Sequence, residues 1–350
     1  YLIGGAWLNL PAVLEMAMMD GYCTANPSYR TGLASGGPDQ IQSFSQLLTA
    51  FELQLMYVLE QTFQMQNILE GLHPGHVAFP LVSSLHDLCM KHGVDISSGS
   101  VPEGRSIGSF LGVVGFATVI DSLAAINSLV FREKKLSLKH LLEILSVNFE
   151  DEEYVRQLCL ACPKYGERID WVDELGKWLD RILLTRVHSE VNRFGGRAEL
   201  FYVPVKAYIA MGRVTGATAD GRFSGCHFSF GATPSPCMGH LGPTVALTSE
   251  AATQNSEFHS LGARVMRANL LPHHLSGRQS VDTLMSIMQT WSRQEHWFLQ
   301  FHVLTPSDLA MLKNSPSEYN NLSGNISGLN SQGYAFPSAA FSHRYQDENI

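Results

Sequence analysis

Between Ala117 and Phe131 the chain reads ATVIDSLAAINSLVF, and only Asp121, Ser122, Asn127 and Ser128 break its apolar character. A helix that is apolar around most of its circumference must be enclosed by other elements rather than laid on a surface. A chain of 350 residues can supply them, because at this length roughly three quarters of the unfolded surface is buried on folding. Length suggests about two domains, although barrels of this size often form one. No apolar run reaches the roughly 18 residues of a membrane span, and no signal peptide is visible.

The elements that could enclose such a helix follow from periodicity. After Ser45, the residues Leu47, Phe51, Leu55, Val58 and Phe63 recur as one apolar stripe, which predicts a helix. Leu85, Leu88 and Cys89 predict a second, stopped by Gly93. Ser137 is placed to cap LKHLLEILSV, with Leu138, Leu141, Leu142 and Leu145 on one face. Ile169, Val172, Leu175, Leu179, Ile182, Leu183 and Val187 trace a long helix ending near Gly195-Gly196.

β-formers gather later, in ELFYVPVKAYIA (199–210, interrupted by Pro204), RVMRANLL (264–271) and HWFLQFHVL (296–304). Thr305-Pro306-Ser307-Asp308 reads as a helix start. Strands alternating with helices predict an α/β protein with parallel pairing. The Asn/Ser/Gly-rich stretch 314–333 reads as loop. It contains two glycosylation-type triplets, at Asn321 and Asn325, which carry no meaning without a secretory signal.

Charge and cysteine usage exclude several functions. The net charge is −8 and no basic run exists, which argues against nucleic acid and membrane surfaces as partners. Six cysteines in so long a chain fit a reducing cytoplasm, the expected location. Cys159 and Cys162 form a lone CxxC in a helical stretch, so they read as packing residues. The histidine pairs His73/His76, His273/His274 and His296/His302 lack a carboxylate at ligand spacing, and no metal is expected.

The densest local signal is GRVTGATADGRFSG (212–225), continued by CHFSFGATPSPCMGHLGPTVALTSEAAT to 253. It is no phosphate-binding P-loop, because the GK[ST] ending is missing. Asp220 and Arg222 read as the brace of a tight turn. The order of this segment resembles the glycyl radical enzymes, the family of pyruvate formate-lyase. That family carries GxxTGATPDGRxAG followed by GPTAxLxS. Gly212, Thr215, Gly216, Ala217, Thr218, Asp220, Gly221, Arg222 and Gly225 match, as do Gly239, Gly242, Pro243, Thr244, Leu247 and Ser249, whereas Ala219 replaces a proline.

The likeness extends along the chain. LNLPAVLEMAMMDGYC (8–23) is similar to the family's NLxKxLELALNDG helix. Asp95-Ile96, Gly99, Gly115 and DSLAAINSLVF follow its DSLAAIKKLVF region. Pro163-Lys164-Tyr165-Gly166 with Asp173 resembles PKYGNDxxxVD, with Glu167 and Arg168 for Asn-Asp. Leu299-Gln300-Phe301 resembles the HxQFNV strand, with Phe298 and His302 substituted.

The resemblance implies an α/β fold: part of a ten-stranded barrel of two five-stranded halves, wrapped in helices, with a cysteine loop and a glycine loop meeting inside. It implies a mostly helical portion at 1–198 and a strand/helix half-barrel at 199–350, with the glycine-radical loop at about 314–336. A glycine Cα radical lies between an amide and a carbonyl that stabilise it, and without a Cβ it becomes planar at no steric cost. The family ends in LxVRVxGYxxxF. Counting from Leu322 places the radical at Gly328, with Asn325 in place of arginine and Leu329 in place of tyrosine.

The thiyl cysteine of the family precedes the NLxKxLELAL helix. Here it would lie upstream of Tyr1, and both ends of the chain read as cut. Cys23 follows that helix, and Cys226 and Cys237 read as small buried side chains. Thr215 and Thr218 are the candidate substrate contacts. The implied function is radical lyase chemistry (elimination, decarboxylation or C–C cleavage) on a small organic substrate, in a homodimer. No bound cofactor is implied; a radical S-adenosylmethionine activase installs the glycyl radical. The alternative is an inactive relative serving as a binding or assembly module.

Overall fold

The computed structural model describes residues 3–99, 101–103, 108–203, 206–234, 242–254, 264–270, 278–294 and 298–303. The chain opens with a strand, β1 (Ile3–Asn9), that runs directly into α1 (Leu10–Met18). Asn9 ends one and caps the other, its side-chain oxygen accepting from the Ala12 N–H at 3.2 Å. Next come α2 (Phe44–His76), α3 (Pro80–Ser84) and α4 (Asp87–His92). A 3-10 turn at Ile96–Ser98 leads to β2 (Ser109–Val114).

Then follow α5 (Phe116–Ile126), which continues as a π-helical turn at Asn127–Arg132, α6 (Leu138–Ser146), α7 (Glu153–Ala161) and α8 (Asp170–His188). The second half adds β3 (Glu199–Phe201), α9 (Ala207–Arg213), α10 (Gly242–Thr253), β4 (Val265–Leu270), α11 (Arg278–Arg293) and β5 (Phe298–Val303).

Every pairing among the described strands is parallel. β2 lies between β1 and β3, and β4 pairs with β5. A bridge between Tyr202 and Arg264 joins the two sets, with the Val265 N–H donating to the Tyr202 carbonyl at 3.3 Å. The described strands therefore follow one another in chain order, β1 to β5. The sheet also crosses residue 198, since β2 pairs with β3.

Alternation gives this sheet two faces. Leu8, Leu111, Val113, Leu200 and Met266 belong to the main apolar core. α5 lies within that core with all eleven residues buried, as its composition requires. The opposite face carries Trp7, Phe110 and Phe201 in a row, the first pair edge-on and the second tilted, with centroids 5.2 and 4.8 Å apart. Segment 206–234 packs against this second face: Tyr208 and Phe228 join Val114 in a smaller cluster beside Trp7 and Phe230.

Several expectations are corrected by the structure. Of the β-rich run 199–210, Glu199–Phe201 and the Tyr202 bridge belong to the sheet, and Ala207–Arg213 is helical. Pro204 cannot donate to a ladder, and beyond it the helix buries Tyr208 in the smaller cluster. β1 and β2 were not foreseen at all. Ser43 caps α2, accepting from the Gln46 N–H. Leu85 lies outside the α4 helix and is exposed, while Gly93 ends α4 with φ +63°, a left-handed cap. α8 stops at His188, short of the Gly195-Gly196 pair. Ser137 caps α6 as expected, accepting from the His140 N–H at 3.1 Å.

Candidate active site

The cap residue of α1, Asn9, and Glu15 within that helix fasten the start of the glycine-rich segment. Asn9 donates from its side-chain nitrogen to the Thr215 hydroxyl at 3.0 Å. Glu15 accepts from the Gly216 N–H at 2.8 Å and from the N–H and hydroxyl of Thr24 at 3.0 and 2.9 Å. Gly216 has no room for a side chain, because a Cβ would come within 2.7 Å of the Thr24 hydroxyl and 2.9 Å of Glu15. Glu15 is 6% exposed; burial raises its carboxyl above the ordinary 4.5, and the bonds from Thr24 and Gly216 and the Arg222 charge offset only part of that rise.

The loop closes on itself through residues 218–222. The Gly221 N–H donates to the Thr218 carbonyl and the Thr218 N–H to the Arg222 carbonyl, both at 3.0 Å. Gly221 sits at φ +95°, a conformation that L side chains rarely adopt. Asp220 accepts from the Thr218 hydroxyl and the Arg222 N–H.

Arg222 then spends its donors on the loop's own backbone: Phe223 O at 3.0 Å, Cys226 O at 2.6 Å, Thr215 O at 3.4 Å, and Gly216 O. Its guanidinium also lies 4.7 Å from the Phe228 ring centroid. Burial lowers its pKa below the ordinary value for arginine, despite Asp220 nearby. The result is a segment whose path is fixed by neutral acceptors around one cation.

A second network ties the helices together. Asp121, fully buried in α5, accepts from the Tyr165 N–H at 2.7 Å, and the Tyr165 hydroxyl donates to Ala232 O at 2.9 Å. Ser249 of α10 accepts from the Gly166 N–H at 3.0 Å and donates to Asp173, which also pairs with Arg168 at 2.6 Å. Where β3 meets β4, Arg264 bonds Asp180 at 2.6 Å, Glu250, and the Thr253 hydroxyl at 3.0 Å. It lies 4.4 Å from the Tyr202 ring centroid, and Tyr202 donates to Asp180. Burial opposes the Arg264 charge, but Glu250 and Asp180 overcome it and hold the guanidinium well above its ordinary value.

The three motif segments brought together by these networks, at 116–126, 163–173 and 242–249, are remote in sequence and contiguous in space. A family model described as "Pyruvate formate lyase-like" matches residues 1–212. This chain belongs to that family. Its relatives are glycyl radical enzymes. The isethionate sulfite-lyase of Bilophila wadsworthia is 33% identical over 328 residues, covering 94% of this chain and 39% of that protein. The trans-4-hydroxy-L-proline dehydratase of Clostridioides difficile is 26% identical over 329 residues, with 94% and 41% covered.

Among solved structures, the B12-independent glycerol dehydratase of Clostridium butyricum superposes with a TM-score of 0.78 at 26% identity, over 90% of this chain and 39% of that one. The chain thus spans about two fifths of the length of the relatives it matches. The family membership agrees with an α/β fold built on parallel strands.

Within this family frame, the expected site residues divide. Thr215 and Thr218 are both buried, and their hydroxyls are engaged: Thr215 with Asn9 and Met211 O, Thr218 with Asp220 and Arg222. Gly328, the radical position, lies outside the described residues, as do Cys237, Asn325 and Leu329. Cys159 is buried and its thiol is pushed up to about 12 by desolvation, with the neighbouring Cys162 adding to the rise, which makes it inert as a nucleophile. Cys226 is partly exposed rather than buried, its carbonyl engaged by Arg222.

Among the described residues, no group of three or more His, Cys, Asp or Glu side chains is placed to hold a metal. No described helix is long and apolar enough to cross a membrane. Asn9, Glu15 and Arg264 went unremarked in the sequence. The signal for Glu15 is a carboxylate inside the apolar run LPAVLEMAM, where only an internal partner makes burial tolerable.

Proposed function

We propose that this chain is the part of a glycyl radical enzyme that carries the radical glycine, Gly328, and one half-barrel around a small organic substrate. The observation that carries the reading is the ordered set of family motifs, whose buried members form the bracing networks above. Relatives named for sulfite lysis of isethionate and for dehydration of trans-4-hydroxy-L-proline support a lyase of elimination type.

In this reading the Gly328 Cα radical takes the hydrogen atom of a cysteine S–H, and the thiyl so formed abstracts hydrogen from a substrate C–H. The substrate radical loses its leaving group, the product radical recovers hydrogen from the same thiol, and the thiyl so re-formed takes a hydrogen atom back from the Gly328 Cα, which regenerates the glycyl radical. The cysteine belongs to sequence outside this chain. Residues 1–198 supply most of the helical support together with β1 and β2, and 199–350 the remaining described strands and the radical loop. Enclosure shields the radicals from side reactions. A separate radical S-adenosylmethionine enzyme installs the radical; the protein acts as a cytoplasmic, oxygen-sensitive homodimer.

The test is electron paramagnetic resonance of the full-length protein after anaerobic treatment with such an activase. A doublet signal is expected in the parent and absent in Gly328→Ala; a parent protein without the doublet rejects the proposal. A second reading, an inactive binding or assembly module, draws on Asn325 and Leu329 replacing the family's arginine and tyrosine. Exposure to air separates the two, since a radical-bearing chain is cut at the glycine and an inactive one stays whole.

A further inference from the structure

The helix α11 presents three sectors. Leu284, Ile287 and Trp291 pack in or against the main core. Asp282, Ser286 and Gln289 are exposed and polar, as a solvent face should be. Between these two sectors Val281, Met285 and Met288 recur at i, i+4 and i+7, and they are 58%, 52% and 44% exposed. Successive helical residues are about 100° apart, which puts this stripe roughly a quarter turn from the core-facing line. A single exposed Val or Met is ordinary, but an aligned apolar flank is where a neighbouring helix of the same layer sits. α10 packs against α11 and leaves the stripe uncovered.

A second apolar surface adjoins it on β5. Leu299 and Phe301 lie on the core side of the sheet, opposite Met266 and Ala268 of β4. Met266 and Ala268 are buried, whereas Leu299 and Phe301 are only partly so. The helical layer therefore covers β4 and stops short of β5. The buried indole N–H of Trp291 also finds no acceptor among the described residues, and buried indoles generally take one.

The next stretch of chain starts beside this corner. β4 and β5 are parallel, so the chain leaves β5 at Val303 from the end of the sheet at which it left β4 for α11. A segment turning back there runs alongside α11, and consecutive elements are usually neighbours. Thr305-Pro306-Ser307-Asp308, read above as a helix start, lies outside the described residues, and Leu309-Ala310-Met311-Leu312 follows it. Four consecutive apolar residues on a helix face several ways, which suits a helix with the sheet beneath it and another helix at its side.

We propose that residues 305–313 form a helix seated in this corner, with the apolar run against Met285 and Met288 on one side and Leu299 and Phe301 on the other. The 314–336 stretch then starts from a fixed point beside α11. Only that consequence rests on the radical reading; the docking does not.

Two measurements on the full-length protein test the docking. In amide hydrogen exchange, parent peptides spanning 305–313 are expected to be protected about tenfold or more over an unstructured chain. Met288→Glu is expected to remove that protection while peptides of α8 keep theirs, and Met288→Thr serves if the glutamate variant does not fold. The second measurement is cross-linking by mild oxidation. Met285→Cys is combined in turn with Leu309→Cys, Ala310→Cys, Met311→Cys and Leu312→Cys, and disulfides are located by peptide mapping. Such a bond needs β-carbons within about 4.5 Å, so one or two of the four pairs are expected to close within a single chain.

Unprotected 305–313 amides in the parent, closure of none of the four pairs, or equal closure of all four would overturn the proposal. A bond between two chains would also overturn it, by making a second copy the occupant. The radical is read separately by its resonance signal. A doublet without protection or cross-link removes the docking and keeps the radical, and docking without a doublet does the reverse.

Discussion

Arg222 and Arg264 both leave bulk water, and they are compensated by different chemistry. Arg222 meets backbone carbonyls, neutral acceptors that fix direction without cancelling charge, and burial lowers its pKa. Arg264 meets two buried carboxylates, and its charge is held firmly in place. The first arrangement shapes a loop, because its carbonyls come from both ends of one short segment, Thr215–Gly216 and Phe223–Cys226. The second joins elements that are far apart, clamping β4 to α8 and α10 where the two strand sets meet. A cation among carbonyls sets a path; a cation between acids sets a junction.

The largest expected effect comes from breaking the junction. Arg264→Met leaves Asp180 and Glu250 buried without their cation, and removing one partner of such a group costs about 3–5 kcal/mol. Urea denaturation should show this as a large fall in the midpoint, and Arg264→Lys should recover only part of it. Breaking the path costs less. Arg222→Met should destabilise by about 2 kcal/mol through carbonyls left without donors. Protease cleavage within 215–226 should increase before global unfolding does. Equal losses at the two sites would erase the distinction drawn here.

Glu15 sharpens the comparison by pH. Its folded pKa is raised above the ordinary 4.5, so its contribution is fully present below that value and is lost as pH rises through the higher, folded pKa. A single group can tilt stability by at most about 1.4 kcal/mol per pH unit. Denaturation midpoints measured upward from pH 4.5 should therefore decline, and Glu15→Gln should flatten that decline while loosening the Gly216 contact. The smallest effect belongs to a site far from both arginines: Ser137→Ala removes the α6 cap at a cost of about 1 kcal/mol in the same assay.

Much of the helical fold was legible because periodicity survives burial. α5, α6 and α8 announce themselves by apolar spacing, and β4 and β5 as short apolar runs between breakers. β1 and β2 carry little strand signal for a physical reason: IGGAWLN and SFLGVV are short runs interrupted by glycine, with weak alternation and no flanking turn signal, and pairing with a distant neighbour makes them strands. The stretch 199–210 failed the other way, its local preference being overridden by the packing of Tyr208.

Of the candidate site, the bracing role of Asp220 and Arg222 was readable from turn chemistry. Asn9 and Glu15 were not, because their partners Thr215 and Gly216 lie some two hundred positions along the chain.

The ordering of the strands also has a bearing on time. Gly5 pairs with Phe110 and Gly112 with Phe201, so each pairing of the first sheet closes a loop on the order of a hundred residues. Neighbouring strands cannot find one another until the helices between them have gathered, and such non-local topologies mature slowly. During synthesis, β1 leaves the ribosome long before β2 exists to cover it, and this interval, more than the final energy, is where the molecule is most exposed to chaperones and to misassembly.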